Sequence, residues 1–444
     1  MALVIANIIG AGIFTTTGFQ AADLGHPLYI FALWIVGGAL ALIGALCYAE
    51  LGAMMPYAGG EYVYLRETYG SAAGFMSAFV SLVAGFSAPI AAASKSFVFY
   101  LGYFIPGLAI EEPVVWGLGA VDLTALFVVW GLVAIHARGV RVGVGFIDWM
   151  TLFKVAGIVL VILAAIFVGT GDVSNFSRVS ASFYEMGRFD VLAAFGTSLI
   201  FVMFCFSGWN AAAYVAGEME NPQRHLPRAL LIGTGIVLLL YLGLNAVYFL
   251  GASADQLAGQ VEVGLVASRT LFGTRGVGLV TIVLCVSILA SASAMTMAGP
   301  RVYYALGRDF TAFAPLSRTR ADGAPGIALL VQGIVTSVIL VSGRVDQIQQ
   351  YAGFTLSLFA AFAVSCVIVL RVRRPDLQRP FRAWGYPWTP AIFLGVSVWM
   401  MFWALQGRPL ESLLGLGTVL VGGLIFAVTA VRRQADTARP NQGR

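Results

Sequence analysis

The residues that could do chemistry in this 444-residue chain are glycine pairs inside apolar runs and two isolated lysines. Ala6-Asn7-Ile8-Ile9-Gly10-Ala11-Gly12-Ile13-Phe14 places two glycines one residue apart. Glycine weakens a helix and lets another group approach the backbone. Within a membrane, broken helix survives only where it is buried in protein or lines a cavity. The N–H groups opening the next half-helix, at its positive dipole end, would then bind a carboxylate. The alternative is close helix packing through small residues. Phe204-Cys205-Phe206-Ser207-Gly208-Trp209-Asn210 repeats the device. A break there frees carbonyls to accept from an ammonium group, with Phe206 or Trp209 covering the ligand; the alternative is aromatic packing around a glycine.

Lys154 lies 13 residues past Arg141, about 20 Å along a helix and so near the centre of its run. None of the 24 arginines occupies such a place. A desolvated lysine can release its proton and arginine effectively cannot, so proton or ion coupling is one reading and a structural cation fixing two helices is the other. Asp148, six positions earlier, points about 120° away and is not expected to pair with it. Lys95 stands within snorkelling reach of the outer interface, or else lines a substrate path.

The elements that must position these residues are membrane helices. Hydrophobic residues make up 59% of the chain and charged residues 11%, against roughly 25% charged in a soluble domain. Apolar runs long enough for a ~30 Å hydrocarbon core fall at 1–22, 28–55, 72–104, 117–137, 142–169, 190–217, 227–251, 276–304, 324–342, 347–370, 387–406 and 411–431. The expected class is an all-α integral membrane protein of about twelve helices. Placing the N-terminus inside puts 18 arginines in cytoplasmic segments and 6 outside, which favours both termini in the cytoplasm. The run Met1–Ile9 already reads as membrane helix, so no cleavable signal peptide is expected, and the start lies upstream or the first half-helix is short.

Net charge of +5 does not imply a nucleic-acid partner, because the basic residues sit between spans. Cys47, Cys205, Cys285 and Cys366 all fall in apolar runs without disulfide or metal spacing. No metal and no cofactor are expected. His26, His136 and His225 lie apart near span ends, and no nucleophile elbow appears, which argues against an intramembrane enzyme. The two breaks open the first and sixth spans, the first helices of two successive five-helix sets. An odd number of crossings inverts the second set, and matching interruptions in inverted halves point to a transporter's midplane site.

Four motifs in order then resemble the amino acid–polyamine–organocation superfamily over essentially the whole chain. They are Ile9-Gly10-Ala11-Gly12-Ile13-Phe14; Tyr48-Ala49-Glu50-Leu51 with Pro56 and Ala58-Gly59-Gly60-Glu61-Tyr62; Glu218-Met219-Glu220-Asn221-Pro222 with Leu226-Pro227-Arg228-Ala229; and Ala298-Gly299-Pro300-Arg301. The texture is closest to bacterial relatives of L-type amino acid transporters. The resemblance implies a LeuT-type inverted repeat, 1–170 and 188–370, two added helices over 386–432, a cytoplasmic tail over 433–444 and a bacterial inner-membrane location. It implies a small-molecule amino acid substrate, moved by proton symport or by exchange. The α-carboxylate would meet amides around Gly10, Ala11 and Gly12, between Ile9 and Ile13. The α-amine would meet carbonyls near Ile8, Phe204 and Phe206, beside Ser207, Gly208 and Trp209. Phe206 would be a gate, Glu218 an inner-gate salt bridge, and Lys154 would contact carbonyls near Ile8 or Ile9 with Ser291 or Ser293. Asn210 replaces the acid many relatives carry, which leans toward neutral substrates; polyamines or other amines are the alternative. Phe104 to Trp116 holds no cysteine, so no disulfide-linked subunit is expected. Glu50 and Glu61 are expected in a cytoplasmic network with arginines, and Arg371 to Arg374 as a positive-inside anchor.

Overall fold

The computed structural model describes residues 1–57, 59–138, 140–214, 216–319 and 325–438, and within them every side chain except 2, 3, 140–151, 211, 218 and 430–438. Helix α1 (Ala2–Ile8) stops where Ile9 turns extended, at φ −69° and ψ 92°. A 3-10 turn over Gly12–Phe14 follows, and then α2 (Thr16–Leu24). Two glycines flanked by β-branched isoleucines and a Thr15-Thr16-Thr17 run are poor helix formers together, and the helix fails there. After α3 (Pro27–Met54) and the short α4 (Glu61–Tyr69) comes a rod in which α5 (Ser71–Val80) and α6 (Ala88–Leu101) are joined by a π-helical stretch, Ser81–Ser87. Pro89 has no N–H to return to Gly85, which accounts for a loosened turn at this point.

A small antiparallel ribbon, β1 (Pro113–Val115) and β2 (Leu118–Gly119), leads into α7 (Ala120–His136). Next come α8 (Val140–Phe167), the short α9 (Ala181–Glu185) and α10 (Arg188–Phe206). A 3-10 turn, Ser207–Asn210, and α11 (Ala211–Tyr214) extend α10. The remainder is α12 (Pro222–Gly251), the short α13 (Ala254–Leu257), α14 (Val263–Asp309), α15 (Gly326–Ser342), α16 (Val345–Arg373), α17 (Trp388–Gly407) and α18 (Pro409–Ala438). Helix α14 turns sharply at Gly273, whose φ of 59° suits glycine.

Each expected apolar run coincides with a helix or with helices in line; most boundaries shift by a few residues, but α14 begins 13 residues before its run, across the turn at Gly273. Among the described residues eight helices are long and apolar enough to cross a membrane, and α7, the Leu152–Phe167 part of α8, and α15 are shorter apolar helices. Helix α3 packs on α12, α10 on α16 and α17, and α14 on α6 and α8. Trp34, Tyr241 and Phe206 are fully buried at the centre, while Phe127, Phe167, Leu239 and Leu424 lie exposed on the outside. Apolar side chains pointing both inward and outward leave little amphipathic contrast, as expected for helices solvated by lipid.

Candidate substrate site

The two interruptions meet. A Cβ on Gly208 would stand 2.3 Å from the Asn7 carbonyl oxygen, so only glycine lets the Ser207–Asn210 turn lie against α1. The Tyr241 hydroxyl of α12 ties both breaks, reaching the Ile8 carbonyl at 2.8 Å and the Cys205 carbonyl at 3.1 Å. Thr16 Oγ1 lies 3.3 Å from Cys205 Sγ. Gln349 of α16 donates to Thr15 Oγ1 (2.8 Å) and accepts from Thr16 Oγ1 (3.2 Å). Thr17 donates to Asn245 (2.8 Å), Tyr100 to the Phe14 carbonyl (2.6 Å) and Tyr248 to the Ile13 carbonyl (3.2 Å). Side chains from α6, α12 and α16 thus take up groups that the missing helical turn would have satisfied.

The N–H groups of Ala11, Gly12 and Ile13 are different. All three residues are buried, and among the described residues the chain resumes helical pairing only with Phe14, which donates to Ala11, and Thr15, which donates to Gly12. Adjacent buried amides without a protein acceptor are costly unless something else accepts from them. Gly10 is only partly buried, and a Cβ there would meet nothing nearer than the Ile8 oxygen at 3.8 Å and Met295 Cε at 4.0 Å. Space therefore opens beside Gly10. A Cβ on Gly12 would instead stand 2.5 Å from Cys205 Sγ and 3.3 Å from the Phe204 ring.

Lys154 reaches the other side of this break. Its ammonium, with no exposure, donates to the carbonyls of Ala6 (2.7 Å) and Ile9 (2.8 Å) and to Ser291 Oγ (3.0 Å). Ser291 in turn donates to Ile9 (2.6 Å). All three ammonium protons are used, and the charge rests on the negative end of α1. Ser293 is not part of this cluster: it pairs with His136 Nε2 at 2.9 Å, because two residues along α14 turn it to another face. The side chains of Asp148 and Glu218 lie outside those described.

The aromatic residues divide. Phe204 stands beside Gly12, whereas Phe206 packs its ring on Tyr241 (5.1 Å) and Trp34 (6.4 Å). Trp209 turns away toward Tyr48 (4.9 Å) and Phe393 (6.1 Å), over Gly44. Asn210 donates to Glu61 Oε1 at 2.7 Å, and Tyr48 donates to the same oxygen. Burial raises the Glu61 carboxyl above the usual range. Glu61 therefore takes neutral partners, not the arginine expected for it. Glu50 does take arginine: Arg371 at 2.6 Å and Arg379 at 3.6 Å, with the Ala383 N–H at 2.7 Å. Arg371 is thus a clamp on Glu50, not merely an anchor in a basic cluster. Lys95 pairs with Asp122 (2.8 Å) and donates to the Gly343 carbonyl (2.7 Å), at the wall of a cavity of about 670 Å³ shared with Asp23, Asp346 and Arg408.

Tyr241, Gln349, Thr15 and Thr16 were not anticipated from sequence. A lone tyrosine in Leu238-Leu239-Leu240-Tyr241-Leu242 is a signal that carried part of this, since polar groups in such runs must find partners; Gln349-Gln350, at the polar start of α16 after Arg344, Asp346 and Gln347, gives none.

A family model described as amino acid permease matches residues 1–425. The serine/threonine exchanger SteT of Bacillus subtilis (strain 168) is 29% identical over 405 residues, 90% of this chain and 88% of that protein. The b(0,+)-type amino acid transporter 1 of Mus musculus is 27% identical over 430 residues, 96% of this chain and 85% of that protein. The cystine/glutamate transporter of Homo sapiens is 27% identical over 429 residues, 95% of this chain and 82% of that protein.

Proposed function

The chain belongs to the amino acid permease family, a multi-pass membrane transporter and not an enzyme, and on that premise we propose that it moves neutral amino acids by alternating access. The observation that carries this reading is the set of buried, unaccepted amides at Ala11, Gly12 and Ile13 beside the space at Gly10. Such a row holds a carboxylate by charge-assisted bonds. The α-amine goes to carbonyls of the Phe204–Gly208 segment. Asn210, neutral and already bonded to Glu61, offers no carboxylate to a cationic side chain. On this reading the chain crosses a bacterial inner membrane twelve times, in two inverted five-helix sets plus two helices, with both termini inside; the long apolar helices and the family match support it. The proposal includes no disulfide-linked subunit.

Lys154 is the coupling group on this reading, a resident cation standing where an ion would bridge α1, α8 and α14. The Bacillus relative is named an exchanger, which favours exchange of small neutral amino acids over proton symport. Uptake into liposomes decides: radiolabelled amino acids and polyamines are offered with and without an inward proton gradient and internal amino acid. Exchange requires internal substrate and ignores the gradient. A polyamine carried in preference to every amino acid would overturn the reading.

Phe204, beside Gly12, is better placed as the gating ring than Phe206, which is packed away on Trp34 and Tyr241. Phe204→Ala is expected to lower uptake about tenfold with binding partly kept, a loss consistent with one displaced aromatic contact. Phe206→Ala should instead lower the melting temperature, by a core cavity of about 3 kcal/mol or more. Uptake and thermal melting of the two variants separate the roles.

The clamp on Glu50 gives a further expectation. Glu50→Gln leaves Arg371 and Arg379 without their carboxylate, and breaking a buried ion pair costs about 3–5 kcal/mol. A lowered melting temperature in detergent is the expected result, and an unchanged one would remove the clamp.

A further inference from the structure

A lateral groove away from the substrate site runs between α3, α12 and the segment linking α16 to α17, and encloses about 920 Å³. Arg224 and Arg228 line it, one helical turn apart and both exposed. Among the described residues neither has a carboxylate partner, and no acidic residue lines the groove. Leu231 of α12 also lines it, with Leu46 of α3 opposite. Leu231 lies seven residues past Arg224, about 10 Å further along the helix. Phe381 and Trp384 of the linking segment complete the lining, with Trp384 69% exposed.

The order along α12 is therefore charge first, then apolar surface, and the groove opens to the side. That is the order of a phospholipid entering from one leaflet. Arginine pairs bidentately with phosphate, and tryptophan favours the headgroup level. A soluble anion would have no use for the apolar length, and a zwitterionic lipid would bring its own cation beside two guanidinium groups that have no carboxylate partner among the described residues. We propose that this groove binds one anionic phospholipid, its phosphate between Arg224 and Arg228 and an acyl chain along Leu46 and Leu231. The inner leaflet is meant, which rests on the orientation proposed above. Ala383, between Phe381 and Trp384, donates its N–H to Glu50. The lipid thereby braces the linking segment on α3 and favours transport.

The test uses the full chain purified in mild detergent and exposed to phosphatidylglycerol or phosphatidylcholine, with retained lipid read by native mass spectrometry. The unaltered protein should retain phosphatidylglycerol in preference. R224Q/R228Q should retain it about 10- to 30-fold less, the loss expected for two basic contacts with an anionic lipid. R224K/R228K should retain an intermediate amount. In liposomes, adding phosphatidylglycerol should speed uptake by the unaltered protein but not by R224Q/R228Q, with equal rates in pure phosphatidylcholine. Equal retention of phosphatidylglycerol by the two proteins would overturn the proposal, as would its displacement by inorganic phosphate. A folded R224Q/R228Q protein inactive in pure phosphatidylcholine as well would assign the arginines to transport itself and overturn it too. Retention is measured without transport, so it decides the lipid site even where the proposed substrate fails.

Discussion

Replacing Lys154 with methionine is expected to cut transport by about a hundredfold or more while leaving the protein folded. The ammonium makes charge-assisted bonds to the Ala6 and Ile9 carbonyls, each worth about 1.5–3 kcal/mol, and a factor of a hundred needs only about 2.7 kcal/mol. Ser291 continues to donate to Ile9, so the end of α1 keeps one of its partners and the helix bundle survives. What is lost is the fixed position of α1 relative to α8 and α14, and with it the geometry of the amides that follow Gly10. Lys154→Arg sharpens the test. Arginine keeps the charge but cannot release a proton, and its planar fork does not fit three acceptors arranged around a point charge. Exchange that persists in Lys154→Arg, with any gradient-driven accumulation also unchanged, would make Lys154 a resident cation. Exchange that persists while gradient-driven accumulation disappears would make it a proton carrier. Full accumulation in Lys154→Met would leave it without a coupling role. Uptake by each variant in liposomes, with and without the gradient, reads all three.

The apolar runs and the break after α1 were legible because they depend on local causes, whereas the second expected break is a 3-10 turn that carries α10 on into α11. A helix fails at Ile9 to Thr15 for reasons present in those residues, and apolar runs declare themselves by length. Lys154 was legible by isolation, as one charge in the middle of an apolar run. What closes the site was not, because it depends on distant partners. Phe204 and Phe206 are equally aromatic and two positions apart, and only their neighbours differ: Gly12 for one, Trp34 and Tyr241 for the other. Ser291 and Ser293 divided in the same way, one to Lys154 and one to His136. Glu61 looked like an arginine partner from its place beside the basic end of the bundle, yet Tyr48 and Asn210 reach it first. Sequence spacing gives the face of a helix, and the identity of the facing residue comes only with the packing.

Gly10→Leu is expected to abolish substrate binding in a protein that still folds. The structure makes Gly10 a clean place to ask, because an added Cβ meets only ordinary contacts with the Ile8 oxygen and Met295. Gly10→Ala should therefore be tolerated, with binding reduced modestly. On the proposed reading the leucine's further atoms occupy the space that the substrate carboxylate would take beside the Ala11 and Gly12 amides. Denying a carboxylate two such amides, at about 1.5–3 kcal/mol for each charge-assisted bond, weakens binding by roughly a hundredfold or more. Gly12 would mislead, since even alanine there collides with Cys205 Sγ at 2.5 Å, and lost binding would report a displaced α10. Gly208 is still less useful, its missing Cβ being what lets the two breaks touch. The measurement is substrate-dependent thermal stabilisation of Gly10→Ala and Gly10→Leu, beside their melting temperatures without substrate. A normal melting temperature with no stabilisation in Gly10→Leu supports the carboxylate site at this break. Stabilisation equal to that of the unaltered protein would remove the site from Gly10 and with it the reading of the open amides.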